Sequence, residues 1–347
     1  MDNILTANDQ YLKQLDSKTS VEFFRDLIWA EAARIGIPPS KVNVSSRINV
    51  ADGGVDATIY ADNIALQPGG LFEEGNNSYQ IKAGDSFKPQ NKSIIQKELF
   101  DKKVPSAKNL APEVKSCLEQ NGKYVIVCFG LDLIELERKK AIGYIKEFLN
   151  DCGFATPKVD IWSINNLKGF IQKYPALVLQ TNHLNGESFL THKEWSNLTD
   201  MRVTFEEGEE QQEKLESIRI QLRRNDMPSQ LRILGEAGVG KTRLALEATN
   251  TDDLRPLVVY ALASEFDGSR LMTELRRNES LNVIVIVDEC DPDERARFWN
   301  SLKPFYPRIK LISIYNEWDI ANYDTIIYEL EGLENKYIID IYINRLR

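Results

Sequence analysis

The sequence predicts an α/β protein made of two domains. In residues 231–243, LRILGEAGVGKTR, four mostly apolar residues run into a glycine-rich turn, and a segment with helical spacing follows. Residues 281–287 form a nearly continuous β-branched run, which is typical of a strand buried on both faces. Near the N-terminus, a helical pattern over residues 19–35 precedes three short strand patterns. These observations predict a parallel sheet in the second half of the chain and a separate α/β domain in the first.

Length and composition agree with this division. A chain of 347 residues is long enough for about two domains, and 42% hydrophobic with 27% charged residues is ordinary for a globular protein. The four cysteines form no CxxC pair, which argues against a disulfide framework or a zinc site. No apolar run approaches the roughly 20 residues of a membrane span, and the N-terminus lacks signal-peptide features. We therefore expect a cytoplasmic protein with no membrane partner.

The charges are distributed unevenly along the chain. They balance within residues 1–180, so the net charge of -9 lies in residues 181–347, and any nucleic-acid contact is expected in the first half. Residues 82–108 hold more lysines than acids, and such a cluster could follow a phosphate backbone, although a solvated surface explains it equally well. The lysines are Lys82, Lys88, Lys92, Lys97, Lys102, Lys103 and Lys108, against Asp85, Glu98 and Asp101.

The first half alternates between helix and strand patterns. The helical pattern ends at Gly36, and turns rich in glycine and asparagine separate the strands that follow. The predicted elements are a helix at 19–35, strands at 42–50, 55–60, 78–84 and 124–129, a helix at 133–149, a strand at 159–163 and a helix at 165–173. This order continues one α/β domain.

Two of these strands carry polar side chains that suit metal-dependent cleavage of a phosphodiester. Asp56 lies in GGVDATIY, and Gln80 and Lys82 lie two apart in YQIKAG, so the last two leave the same face of their strand. Asp56 can hold a divalent cation, Gln80 can add an oxygen ligand, and Lys82 can orient or deprotonate water. Glu22, on the first helix, could complete the metal shell. A polar strand face without catalytic function is the alternative.

These segments resemble the PD-(D/E)xK nuclease superfamily, in the Mrr-like branch of restriction endonucleases whose third motif is Gln-x-Lys. The resemblance covers roughly residues 15–180. It implies a restriction-endonuclease-like αβββαβ domain, dependence on Mg²⁺ and double-stranded DNA as substrate. By this resemblance the catalytic residues are Asp56, Gln80, Lys82 and Glu22, of which Asp56 and Glu22 bind the metal.

The helix glutamate departs from the pattern of that family. Counted back from Gly36, its usual position falls near Arg25, and Glu22 lies one turn earlier on the same face. A solvated helix face explains Glu22 as well as a metal ligand does. Glu31 is a second candidate on the same helix.

Residues 181–205 show no clear periodicity and are predicted to link the domains. Phe189 and Trp195 could pack there, while His183 and His192 are expected on the surface, since neither has a cysteine or carboxylate at ligand spacing. A charged helix is predicted at 206–224, acidic at its start and basic at its end, as the helix dipole favours. The predicted domains are 1–180 and 206–347, with the linker at 181–205.

The glycine-rich turn fits a nucleotide-binding motif. Gly235, Gly240, Lys241 and Thr242 match GxxxxGK[ST] at every fixed position. The glycines let backbone N–H groups point at phosphates, the lysine reaches the β- and γ-phosphates of ATP, and the threonine hydroxyl binds Mg²⁺. The residues predicted to contact the nucleotide are Gly235, Gly238, Val239, Gly240, Lys241, Thr242 and Arg243.

Two adjacent acids complete this site. The β-branched run ends in Asp288 and Glu289, of which Asp288 can hold Mg²⁺ through water and Glu289 can polarise the attacking water. A domain that binds nucleotide without hydrolysing it is the alternative. Ser313 or Asn316, near the end of a strand predicted at 309–314, could sense the γ-phosphate, although turn polarity explains both equally well.

The C-terminal sequence resembles the STAND-type ATPases. The segment YDTIIYELEGLENKYIIDIYINRLR is similar to the strand, the Leu-x-x-Leu step and the first lid helix that follow the core in that family. A helical lid, a winged helix and long sensor repeats come next in those proteins. We therefore expect either the N-terminal part of a longer protein or a shortened homologue.

A nuclease-like domain before a STAND-like ATPase resembles the antiviral STAND (Avs-like) proteins of prokaryotic defence. The resemblance implies an ATP-gated endonuclease of double-stranded DNA. A phage-derived protein, captured by a C-terminal region, would drive assembly of a homo-oligomer such as a tetramer. Two alternatives remain: an NTP-dependent restriction enzyme or translocase that moves along DNA, and a scaffold with a degenerate nuclease that binds DNA or protein without cutting.

Overall fold

The computed structural model describes residues 5–44, 54–62, 66, 69–100, 109–182, 189–198, 209–318 and 322–331. The chain folds into two compact units. The N-terminal unit is Ala7–Ile171, and the C-terminal unit comprises Met1–Thr6 and Gln172–Arg347. Among the residues that the structure describes, no helix combines the length and the apolar character needed to cross a bilayer.

The N-terminal unit is built on a five-stranded mixed sheet in the order β1-β2-β3-β4-β5. Its strands are β1 (Val42–Val44), β2 (Ala57–Ala61), β3 (Gly75–Lys82), β4 (Lys123–Cys128) and β5 (Lys158–Trp162). Its helices are α1 (Asp9–Gln14), α2 (Ser17–Ile35), α3 (Lys92–Leu99), α4 (Pro112–Glu119), α5 (Glu135–Asp151) and α6 (Ile164–Ile171). The strands β1, β2 and β3 are antiparallel neighbours, whereas β3, β4 and β5 are parallel.

Each helix and strand expected in the first half is present in this unit. The predicted order αβββαβ corresponds to the run from α2 to β4, in which two helices, α3 and α4, stand between β3 and β4 instead of one. The part of the strand expected at 42–50 that follows Val44 lies outside the described residues.

Apolar side chains cover both faces of this sheet. On one face, β4 contributes Tyr124, Ile126 and Cys128 to a cluster with the inner sides of α3, α4 and α5. On the other, the ring of Phe24 from α2 lies 5.2 Å from that of Tyr79 in β3. Such ring pairs contribute about 0.5–1.5 kcal/mol each beyond their buried area. The strand β3 is therefore held between two apolar layers, which fixes the polar residues at its end.

The C-terminal unit is built on a six-stranded sheet in the order β11-β7-β10-β9-β8-β6. Its strands are β6 (Leu190–Thr191), β7 (Gln230–Gly235), β8 (Val258–Leu262), β9 (Val283–Asp288), β10 (Ile309–Tyr315) and β11 (Thr325–Leu330). Its helices are α7 (Pro175–Thr181), α8 (His192–Leu198), α9 (Glu209–Arg223), α10 (Lys241–Ala248), α11 (Ala263–Phe266), α12 (Arg270–Arg277) and α13 (Pro292–Leu302). Five strands are parallel, and β6 is antiparallel to β8.

The apolar run that predicted a fully covered strand is β9. Its residues 283–287 are all buried, because β8 and β10 flank it and α11 packs against it. A fully buried Val or Ile side chain contributes about 1.5–3 kcal/mol. The lid helix expected after β11 lies outside the described residues.

The region expected to link the domains contributes to the C-terminal sheet. Leu190 of β6 pairs with Tyr260 of β8, and α8 packs on the same strand. The chain also divides after Ile171 rather than at residue 180, so α7 belongs to this unit. Elements as short as β6 and α8 carry too few residues for a periodic pattern, which is why the sequence suggested a linker there. Residues 183–188 and 199–208 lie outside the described part of the chain.

His192 is buried at 3% exposure, contrary to the expectation of a surface histidine. Its Nε2 donates a hydrogen bond to the carbonyl oxygen of Leu246, 3.1 Å away. That carbonyl lies in the last turn of α10, where carbonyl groups have no partner within the helix. Burial lowers the pKa of His192 to about 4, so the neutral ring packs here. The other histidine, His183, lies outside the described residues.

The buried histidine predicts a pH-dependent stability. The pKa of His192 falls from its ordinary value of 6.5 to about 4 on folding, so the unfolded chain binds the proton more tightly. The stabilisation is complete above about pH 6.5 and is lost as the pH falls towards 4, by about 3 kcal/mol. We expect His192→Gln, which keeps an N–H donor, to show a shallower loss in urea unfolding between pH 7 and pH 4. Parallel pH profiles for the two proteins would contradict this.

Candidate functional site

The glycine-rich turn connects the end of β7 to the start of α10. Gly235 has φ 146° and Gly240 has φ 96°, values that other residues rarely adopt. A Cβ atom on Gly235 would also lie 2.4 Å from the carbonyl oxygen of Leu330 in β11. Gly238 and Val239 lie within the turn, and Gly240 is the N-cap of α10. The turn therefore surrounds a helix N-terminus, whose partial positive charge favours phosphate.

Lys241, the first residue of α10, folds back over the turn. Its Nζ donates to the carbonyl oxygen of Glu236 at 2.7 Å, and the residue is 6% exposed. Burial lowers the pKa of Lys241, while the charge of Asp288 acts in the opposite direction. Arg243, expected at the nucleotide, instead forms an ion pair with Glu247 one turn along the helix, at 2.6 Å.

Three hydrogen bonds hold the carboxylate of Asp288. Its Oδ2 accepts from the hydroxyl groups of Thr242 and Tyr260, both at 3.0 Å. Its Oδ1 accepts from the N–H of Glu289 at 2.9 Å. Burial, followed by the charge of Asp288, raises the pKa of Tyr260, so its hydroxyl remains a donor. Hydroxyl and carboxylate oxygens are the ligands that Mg²⁺ prefers, and Thr242 and Asp288 therefore fit the predicted metal.

Glu289 stands in a left-handed backbone conformation, with φ 54°. The turn that follows β9 is held by both backbone groups of Cys290. The N–H of Cys290 donates to the carbonyl of Ile314 at 3.0 Å, and the carbonyl of Cys290 accepts from Arg232 at 2.8 Å. Arg232 is a fully buried residue of β7. A strained residue of this kind costs about 1–3 kcal/mol and persists only where its surroundings fix it. The result is an exposed Glu289 carboxylate beside Asp288.

The two proposed phosphate sensors have different environments. Ser313 is fully buried in β10, and its hydroxyl accepts a hydrogen bond from Arg232 at 3.2 Å. It forms part of the packing between strands, so the expectation that it could contact phosphate is not supported. Asn316 follows β10 directly and is exposed. Because β10 lies between β7 and β9, Asn316 stands between the turn and the two acids.

The parallel strands β7, β10 and β9 end at the same edge of the sheet. That edge carries the glycine-rich turn and, two strands away, the acidic pair Asp288 and Glu289. The hydrogen bond between Thr242 and Asp288 joins the two motifs. This combination is the phosphate- and Mg²⁺-binding arrangement of P-loop proteins. The C-terminal unit therefore combines a parallel sheet with the phosphate turn of a P-loop nucleotide-binding fold.

No protein-family model matches the sequence, and no curated protein matches it. Among solved structures, DnaA from Aquifex aeolicus with bound AMPPCP is similar at 19% identity and a TM-score of 0.31, over 48% of this chain and 56% of that one. PCH-2 from C. elegans is similar at 15% identity and a TM-score of 0.27, over 34% of this chain and 41% of that one. The chain thus spans about half of either protein or less. Likenesses this distant add nothing to the fold assignment, which rests on the turn and the sheet order.

In the N-terminal unit, Asp56 stands directly before β2, next to β3. Its N–H donates to the carbonyl of Tyr79 at 2.8 Å, and its Oδ2 accepts from the N–H of Ile81 at 2.6 Å. The pairing of Ala57 with Tyr79 sets Asp56 opposite Gln80. The carboxylate is therefore anchored to the backbone of the Gln-x-Lys strand.

Glu98 of α3 joins the two polar residues of that strand. Its Oε2 accepts from Gln80 Nε2 at 3.1 Å and from Lys82 Nζ at 2.5 Å, so Gln80 and Lys82 share one face of β3 as predicted. The amide oxygen of Gln80 accepts from the hydroxyl of Tyr124 at 2.6 Å, and its role as a metal ligand stays a prediction. Glu98 was noted in the sequence only as an acid among lysines. No local pattern pairs it with Lys82, 16 positions away, since the contact depends on how α3 packs.

A cavity of about 390 Å³ opens beside Asp56, Lys82 and Glu98. Within the described residues, no group of three or more His, Cys, Asp or Glu side chains is arranged to hold a metal ion. Mg²⁺ in phosphate chemistry is commonly held by one or two carboxylates, waters and the phosphate itself. The two carboxylates that line the cavity fit that requirement.

Glu22 does not line this cavity. The residues of α2 that do are Ser17 and Val21, which lie one turn apart on the same face. The Glu22 side chain is 54% exposed and lies 3.8 Å from Lys18, because one step along a helix rotates a side chain by about 100°. Glu31, the second candidate, is buried in an ion pair within α2. The carboxylate near Asp56 comes from α3 instead of α2.

The lysine-rich surface is partly described. Lys88, Lys92 and Lys97 are exposed, and Lys92 pairs with Glu147 of α5 at 2.5 Å. Lys102, Lys103 and Lys108 lie outside the described residues, as does Asp101. The structure therefore adds three exposed lysines, two of them on the same helix as Glu98, to the expectation of a phosphate-binding surface.

The two lysine–glutamate pairs predict different stability effects. Glu98→Ala removes this acceptor from Lys82, whose side chain is only 21% exposed. We expect the variant to lower the free energy of unfolding by about 2–3 kcal/mol. Glu147→Ala removes the acceptor of Lys92, whose side chain is 44% exposed, and should cost about 0.5 kcal/mol. Urea unfolding of the two variants checks this. Equal losses of unfolding free energy in the two variants would contradict the expectation that the contribution of an ion pair increases with its burial.

Proposed function

We propose that the C-terminal unit binds ATP with Mg²⁺ and hydrolyses the nucleotide. The observation that carries this proposal is the 3.0 Å hydrogen bond between the Thr242 hydroxyl and the Asp288 carboxylate. It sets two hard oxygen atoms together where the phosphate turn meets the acidic end of β9. A magnesium ion bound there would neutralise charge on the β- and γ-phosphates.

The chain supplies each further role from a separate element. Lys241 would exchange the Glu236 carbonyl for phosphate oxygens, and the glycines of the turn would bring N–H groups to the phosphates. Glu289 would orient and polarise the attacking water, since its carboxylate is exposed next to Asp288. Asn316 would contact the γ-phosphate from the end of β10. These roles make hydrolysis, and not binding alone, the proposed activity.

The proposal predicts two different defects in ATP turnover. Lys241→Ala removes the cation at the phosphates and should raise the Kd for ATP, whereas Glu289→Gln should retain binding and lower kcat by about 10²–10⁴-fold, the usual contribution of a general base. Calorimetry measures binding, and phosphate release measures turnover. Glu317→Gln changes an exposed acid just after β10 and serves as the control with unchanged kcat. Full turnover by Glu289→Gln would contradict the assigned role.

We propose further that the N-terminal unit cuts double-stranded DNA with Mg²⁺. The observation that favours this second activity is the cavity that Asp56, Lys82 and Glu98 line together. Asp56 and Glu98 would hold the metal, which would polarise the scissile phosphate. Lys82 would orient water and offset the charge that develops on the phosphate. Exposed lysines of α3 would contact the DNA backbone.

The resemblance to antiviral STAND proteins extends these proposals to regulation. Binding of a phage-derived protein would promote ATP-dependent assembly of a homo-oligomer such as a tetramer. Assembly would bring nuclease sites together, so that two of them cut both strands. ATP would then act as the gate and the nuclease as the effector.

The nuclease proposal predicts that DNA damage depends on Lys82. Cells that express the protein would be infected with a panel of phages, and the integrity of their DNA would be followed by gel electrophoresis. We expect wild type to fragment DNA after infection by a triggering phage, and Lys82→Ala to leave DNA intact, because the ammonium group at the scissile phosphate is lost. Lys139→Ala removes an exposed lysine of α5 and should behave as wild type.

The outcomes of this experiment separate the alternatives. Equal fragmentation by Lys82→Ala would contradict the nuclease site, and full fragmentation by Lys241→Ala would contradict the ATP gate. ATP hydrolysis that DNA stimulates without cleavage would favour a translocase. DNA that stays intact with wild type under every phage would favour a scaffold that binds without cutting.

A further inference from the structure

A tyrosine from the neighbouring strand reaches Asp288, although the nucleotide-binding motifs do not call for one. Tyr260 stands in β8, and its hydroxyl donates to Asp288 Oδ2 at 3.0 Å. The same oxygen accepts from Thr242. The position of the Tyr260 ring therefore helps to decide how the Asp288 carboxylate is turned towards the phosphate turn.

The Tyr260 ring is itself held by a tryptophan. Trp195 of α8 stacks on it with ring centroids 4.6 Å apart and planes inclined by 17°. Trp195 is 2% exposed, and its helix follows β6, whose pairing with β8 includes Tyr260. Tyr260 is only partly buried, but a ring stacked on a buried tryptophan has little freedom to tilt, so the stacking fixes the position of the Tyr260 hydroxyl.

The contacts that begin at Thr242 in α10 also reach the other end of α10. His192 of α8 lies edge-on to Trp195, with ring centroids 6.0 Å apart, and donates to the carbonyl of Leu246 in α10. Thr242, which bonds to Asp288, lies at the other end of the same α10. The first and last turns of the phosphate-binding helix are thus connected through Asp288, Tyr260 and α8.

We propose that Tyr260 is a positioning residue that holds Asp288 in the orientation that binds Mg²⁺ with ATP. Through its stacking on Tyr260, the environment of the Trp195 ring then changes when ATP with Mg²⁺ occupies the site. This inference rests on the proposed binding of ATP by the C-terminal unit. Without the hydroxyl, the carboxylate can rotate about its terminal bond and must replace the lost donor with water. Binding that depends on the metal is weakened, while contacts between the turn and the phosphates are unaffected.

The test compares two tyrosines that each lose only a hydroxyl. Calorimetry measures the Kd for ATP with Mg²⁺ and with EDTA in wild type, Tyr260→Phe and Tyr328→Phe. Tyr260→Phe should weaken binding about tenfold with Mg²⁺, the effect of losing one hydrogen bond to a charged group, and leave binding in EDTA unchanged. Tyr328 is the matched control, because its hydroxyl lies 3.0 Å from that of Ser217 in α9, a residue with no assigned role in the site. Both of its Kd values should equal those of wild type.

Tryptophan fluorescence supplies a readout that does not depend on turnover. Wild type should change its emission when ATP with Mg²⁺ saturates the site. Trp195→Phe should lose that change yet bind with the wild-type Kd by calorimetry, since a ring still stacks on Tyr260. Tyr260→Phe, measured at saturation, should show a smaller change than wild type. Thermal unfolding followed by circular dichroism establishes that each variant is folded.

Failure of the proposed function and failure of this inference give different results. If wild type binds no ATP by calorimetry, the proposed function is wrong and this inference falls with it. The positioning role alone is wrong if wild type binds ATP and Mg²⁺ increases the ATP affinity of Tyr260→Phe as much as that of wild type. It is also wrong if Tyr328→Phe loses as much ATP affinity as Tyr260→Phe. An emission that stays constant in wild type at saturation would overturn the role of Trp195.

Discussion

The carboxylate of Asp288 is the point on which the C-terminal site depends. Its three hydrogen-bond donors come from α10, from β8 and from the residue that follows it. Because a carboxylate held by three donors has one orientation, the phosphate turn and the acidic strand end have a fixed relation to each other. The bond from Tyr260 also connects this site to α8, which packs on β8.

A buried arginine holds the other side of the same strand end. Arg232 donates to the carbonyl of Cys290 and the hydroxyl of Ser313, and its guanidinium lies 5.6 Å from the ring of Tyr315. Both hydrogen bonds come from the same guanidinium nitrogen, and they tie the loop that follows β9 to the strands β7 and β10. The left-handed conformation of Glu289 is then held by packing between strands. This is also why Ser313 has a structural task and Asn316 remains the residue available to a phosphate.

The sequence located the parts of the sites that are local. The phosphate turn, Asp288 and Glu289 occur within short motifs on strongly patterned strands, and Asp56, Gln80 and Lys82 lie on adjacent strands of one meander. The contacts of Glu98, Tyr260 and Arg232 could not be predicted, because each residue meets its partner through packing between segments far apart in the chain. Glu22 was chosen by its distance from Gly36 in the chain, and the structure places it on the exposed side of α2, next to the cavity residue Val21.

Glu98, and not Glu22, lines the N-terminal cavity and contributes to its charge. Two carboxylates and one ammonium group line it, so its formal charge is negative and repels a phosphodiester. A divalent cation at those carboxylates would reverse the sign, and Lys82 would then add to the attraction instead of merely balancing Glu98. If DNA is the substrate as proposed, exposed lysines on α3 would attract it to the surface in either case, since that interaction is long-ranged. The metal, and not the lysine cluster, would therefore decide whether a scissile phosphate enters the cavity.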